Sequence, residues 1–177
     1  MQHRPAHSLS TSQWRPSHDD ALRQARLLFA SKARQHLLIR VCQALKSRAF
    51  DVRETARDTL SKITNSLGIC YFPFILTELR SSLIKGYQLH VLGATLYYIL
   101  NKFEENIPDG GLDVSVQSII EVLTQDIFGE PAREREVDKI STKLPEARST
   151  KSFECFELVA KKMSAAQLMV LITPLKE

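Results

Sequence analysis

The feature that most constrains this chain is an internal repeat. Leu37, Leu38, Val41 and Leu45 recur as Ile75, Leu76, Leu79 and Leu83, a shift of 38. Val52, Ala56, Leu60 and Ile63 then recur as Leu89, Gly93, Tyr97 and Leu100, a shift of 37, so one residue is lost in the intervening turn. Apolar residues three and four apart share one face of an α-helix. Each repeat therefore reads as two amphipathic helices, A and B, joined by a turn. A helix pair of about 40 residues has the length of a HEAT or armadillo unit. One pair cannot bury its own apolar stripe, so pairs stack. The predicted fold is all-α, an α-solenoid of HEAT-like helix pairs. Ala56 and Gly93 are predicted to be equivalent, each facing its own helix A.

Breakers set the boundaries. Helix A of the first repeat is predicted over about 32–46, with a turn through Ser47–Asp51 and Asp51 as the cap of helix B. Helix B runs from Val52 to about Leu67, where Gly68 stops it. The second repeat has helices over about 72–83, with Pro73 in the first turn, and about 88–103, with Gly86 between them. Ile107–Gly111 is a breaker cluster. A further helix follows over about 113–128, ended by Gly129 and Pro131. The charged stretch 133–152 reads as a solvated segment whose front half is a short exposed helix ended by Pro145. Helices over about 153–163 and 165–172 complete the chain. Residues 1–17 are rich in Ser, His, Pro and Arg and lack an apolar run, so they read as a disordered leader. Ser17 with Asp20 looks like the start of a helix carrying Ala21, Leu22, Ala25, Leu28 and Phe29. Residues 18–177 are expected to be a HEAT-like segment, part of a longer solenoid.

Composition excludes several classes. No apolar run reaches the roughly 18–20 residues that span a bilayer, so no membrane association is expected. The three cysteines, Cys42, Cys70 and Cys155, are widely spaced and fit neither a disulfide framework nor a zinc pattern. They are expected to be free, mostly buried thiols. No phosphate loop, nucleophile elbow, dinucleotide fingerprint or metalloprotease motif occurs. No catalytic residue, cofactor, metal or small-molecule substrate is expected, and the chain reads as a non-enzyme. His36 is assigned to a solvated helix face and His90 to helix packing or capping.

The net charge is +4, which permits a nucleic-acid partner without demanding one. Lys32, Arg34, Arg40, Lys46, Arg48, Arg53 and Arg57 crowd the first repeat. Arg53 and Arg57 lie four apart on one helix face. Arg48, Arg53 and Arg57 are therefore the candidates for RNA or phosphate contact, against the plainer reading of a solvated face. Arg53 has a second role in the HEAT reading: from the start of helix B it can reach the turn carbonyls or an acidic group of a neighbouring repeat.

Several strings go beyond a generic repeat: Arg57-Asp58-Thr59-Leu60, Gly86-Tyr87-Gln88-Leu89-His90-Val91-Leu92, Asp126-Ile127-Phe128-Gly129-Glu130, Lys151-Ser152-Phe153-Glu154 and Pro174-Leu175-Lys176-Glu177. Together they resemble the down-regulated-in-metastasis family, the very large HEAT-repeat component of the small-subunit processome. The resemblance covers roughly 32–177. It implies a nucleolar scaffold associated with processome proteins, a box C/D snoRNP and pre-ribosomal RNA, needed for 18S rRNA maturation. The rival reading is a helical-repeat adaptor in transport or trafficking. The apolar run at Leu168–Leu175 carries one more expectation, self-association through an uncapped end.

Overall fold

The computed structural model describes residues 32–129 and 144–175. The leader, the 18–31 segment and the front of the charged stretch lie outside them. Every regular element among the described residues is a helix. The first pair is α1 (Lys32–Ala44) and α2 (Phe50–Leu67). The second is α3 (Phe72–Ser82) and α4 (Tyr87–Phe103). In the third, α5 (Asp113–Phe128) pairs with α7 (Ser152–Lys162), and the one-turn helix α6 (Pro145–Arg148) lies in the connection between them. A short helix, α8 (Leu168–Ile172), follows.

The pairs stack as an α-solenoid. The A helices form one layer, in which α1 touches α3, α3 touches α5, and α8 lies against α5. The B helices form the other, with α2 on α4 and α4 on α7. The core runs between the layers through Leu45, Leu60, Leu79, Leu96, Ile99 and Ile119, all fully buried. Burying each such side chain contributes on the order of 1.5–3 kcal/mol before entropy is counted, and the stripe needs a neighbouring pair to cover it. The stripe of the first repeat is only partly covered. Leu38 and Leu45 are buried, but Leu37 is 55% exposed and Val52 41% exposed. Leu37 and Leu38 instead line a shallow apolar cleft with Ile63 and Leu67. At the other end Phe153, Leu168 and Met169 are exposed, while Val170 and Leu171 pack against the core.

Local chemistry explains most boundaries. Gly68 has φ 82°, a left-handed conformation open to glycine, and its N–H closes α2 on Thr64 O at 2.8 Å. Pro73 sits in the first turn of α3, where no N–H is needed. Two expectations are corrected. Asp51 is not the cap of α2: the helix starts two residues earlier, Ala49 holds the cap position, and Ser47 Oγ accepts from the Ala49 N–H at 3.2 Å. Asp51 is exposed in the first turn, where a negative charge still suits the helix dipole. Pro145 opens α6, since its fixed φ and missing N–H suit a first turn, and the short exposed helix expected before it lies outside the described residues. Gly93 does not face its own helix A. A Cβ at Gly93 would lie 2.7 Å from Asp126 Oδ2 of α5 and 2.5 Å from Ser152 Oγ of α7, so this glycine lets the third pair approach. Ala56 is buried, as the repeat register requires.

Candidate interaction site and two buried polar networks

The turn between α1 and α2 carries Arg48, which is exposed, and its geometry is fixed from below by Arg53. Arg53 Nη1 donates to Ser47 O and Arg48 O, both at 3.0 Å. This is the turn-carbonyl contact expected of an arginine at the start of helix B. The rest of its guanidinium faces inward. Nε and Nη2 donate to Glu146 Oε1 at 2.8 Å and Oε2 at 2.6 Å, a bidentate fork on a carboxylate. Arg57 Nη1 adds a third bond to Oε1 at 2.9 Å. The Phe50 ring lies 5.7 Å from the Arg53 guanidinium carbon and 5.4 Å from that of Arg57, within cation–π range.

This placement corrects the reading of Arg53 and Arg57 as phosphate contacts. Arg53 is 0% exposed and Arg57 5%, and both are engaged with Glu146. A face with two arginines four apart has two uses, solvent or a buried counter-ion, and here it takes the second. Of the three candidates, Arg48 alone stands at the surface. The charged stretch is corrected too: Glu146, at its far end, is 6% exposed. Burial pushes the Glu146 carboxyl up. The hydrogen bond from Arg53, a backbone hydrogen bond and the charges of Arg57 and Arg53 outweigh it, so the group is held below the usual range.

A second network joins the second and third pairs. His90 Nδ1 donates to Asp126 Oδ1 at 2.6 Å, since a carboxylate only accepts. Ser152 Oγ, on the first residue of α7, donates to Asp126 Oδ2. His90, Asp126 and Ser152 are all buried. The packing role expected for His90 is the one observed, and His36 is exposed. Asp126, Ser152 and Glu146 escaped sequence reasoning. One signal pointed toward them: Arg53 and His90 are themselves 37 apart, so the repeat places a polar residue at a buried position twice.

Both networks are built from buried ion pairs and hydrogen bonds between helices. Ser152 is buried, and its hydroxyl is taken up as a donor to the Asp126 carboxylate. Among the described residues no cluster of three or more His, Cys, Asp or Glu is placed to hold a metal ion, and no helix is long and apolar enough to cross a membrane. The three cysteines are free. Burial, with Glu78 nearby, pushes the Cys42 thiol up to about 12, and burial beside Glu154 raises that of Cys155. Neither offers a thiolate near neutral pH.

Comparison with known proteins supplies the rest. Residues 28–177 match the family described as U3 small nucleolar RNA-associated protein 20 domain. The U3 small nucleolar RNA-associated protein 20 of Schizosaccharomyces pombe is 36% identical over 140 residues, covering 79% of this chain and 6% of that protein. Its Saccharomyces cerevisiae counterpart is 34% identical over 140 residues, with the same shares of 79% and 6%. The chain thus corresponds to a small part of these relatives. A match that spans all the described helices, on an architecture that the repeat register required, means that the chain belongs to the U3 small nucleolar RNA-associated protein 20 domain family.

Proposed function

We propose that this chain is a scaffold segment of a nucleolar pre-ribosomal particle, the small-subunit processome, and supports 18S rRNA maturation by holding partners together. The single observation that carries this reading is the family match over residues 28–177. Stacked helix pairs suit it, because they present extended surfaces for partners. Its partners in this reading are processome proteins and snoRNP or pre-ribosomal RNA, and its place is the nucleolus. Its work is binding, without catalysis, cofactor or small-molecule substrate. Arg48 is the residue proposed for phosphate contact, since its turn is pinned by Arg53 and its side chain is exposed. The adaptor reading in transport or trafficking has no comparable support.

Immunoprecipitation of the tagged full chain from cells, with identification of both protein and RNA, tests the proposal. Recovery of pre-ribosomal RNA and small-subunit assembly proteins is the expected result, with less RNA recovered by Arg48→Ala. Recovery of transport components without pre-ribosomal RNA would overturn it.

A further inference from the structure

We infer that the Glu146 turn is a clip that locks the three helix pairs into one cooperative unit. Solenoid repeats ordinarily touch only their neighbours, so a terminal pair can open by itself. Here a contact skips a repeat. The connection inside the third pair lays α6 on α4 of the second pair and sets Glu146 on Arg53 and Arg57 of the first, 93 and 89 residues away. Leu144 and Ala147 are buried around it, at 7% and 0% exposure, so apolar surface docks the turn as well as charge.

The clip works because each partial opening strands a charge. If α6 lifts off alone, two guanidinium groups remain buried without their carboxylate. If α2 leaves alone, Glu146 stays docked on α4 without its arginines. Both are costly in a low-dielectric interior. Asp126, bonded to His90 and Ser152, ties the second pair to the third in the same way. The first and third pairs therefore open together or not at all. Such a unit passes a displacement from one end to the other, where a flexible solenoid would absorb it.

Native-state hydrogen exchange on the full chain, resolved by peptide, tests this. In the unaltered chain the slowest amides of α2, α4 and α7 should share one level of protection. Glu146→Gln keeps the side-chain shape and an acceptor oxygen, so the fold should survive. It should speed exchange in α2 by about tenfold or more while α7 keeps most of its protection. Arg57→Lys, which retains the charge, should give the same pattern with smaller amplitude. Three results would overturn the inference: α2 and α7 already differing widely in the unaltered chain, a change confined to 144–148, or an equal loss across α2, α4 and α7.

Discussion

The first and second repeats place different residues at the same point and reach different solutions. The fourth residue of α2 is Arg53 and the fourth residue of α4 is His90. Both are buried and both hold a carboxylate from a later element. Arginine carries its charge under all ordinary conditions. Its burial therefore demands a permanent counter-ion and hydrogen-bond partners, and the chain supplies Glu146, two turn carbonyls and the Phe50 ring. Histidine asks for less, and one aspartate shared with Ser152 satisfies its Nδ1. The third B helix, α7, has Cys155 at its fourth position, buried and uncharged, and needs no counter-ion there. The partner of Arg53 lies 93 residues away in the sequence and that of His90 lies 36 away.

Glu146→Ala breaks the comparison hardest. It leaves two buried guanidinium groups without a carboxylate, and the expected cost is about 3–5 kcal/mol in urea unfolding. Acid unfolding sharpens the same point. The folded Glu146 carboxyl titrates below its unfolded value of about 4.3. Its contribution is therefore complete above that value and disappears as pH falls through the lower, folded one. The stability gap between the unaltered chain and Glu146→Gln should be constant near neutral pH and close under strongly acidic conditions. A gap unchanged to low pH would detach it from this carboxyl.

The second network should give way less. Gly→Ala inside a helix ordinarily stabilises by about 1 kcal/mol. Gly93→Ala should reverse that sign and cost about 1–3 kcal/mol, because the new methyl meets Asp126 and Ser152. A stabilised Gly93→Ala would mean that the third pair does not sit so close. Ser152→Ala, which removes one hydrogen bond and leaves Asp126 with His90, should cost about 0.5–1.5 kcal/mol. Combined with Gly93→Ala it should recover part of the overpacking, so the two effects should not add.

The comparison also marks what the sequence could disclose. The helix pairs were legible, because a shift of 37 or 38 in the apolar stripe and breakers at Gly68, Gly86 and Ile107–Gly111 are local signals. The buried position was half legible: Arg53 and His90 share the register, but nothing local says that either points inward. Their partners were not legible. Glu146 lies in a stretch of alternating charge that reads the same whether one carboxylate is buried or none is. Asp126 and Ser152 are ordinary polar residues at helix ends until α5 and α7 bring them together. Gly93 read as a small packing residue, but which neighbour it admits depends on the stacking of the third pair. Arg53 and Arg57 read as candidates for phosphate contact, or as a solvated face, because a helix face with two arginines gives no sign of a counter-ion 89 residues later.

The central claim is that Arg53, Arg57 and Glu146 form one structural unit. Its most direct test is a comparison, by urea unfolding, of Glu146→Met alone with the triple change Arg53→Met, Arg57→Met and Glu146→Met. Removing one member of a buried ionic cluster strands the others, whereas replacing all by apolar groups of similar size is often near neutral. The account predicts that the triple variant is more stable than Glu146→Met, although it carries two more substitutions. A triple variant that loses the sum of the three single costs would show that the residues act independently, and would contradict it.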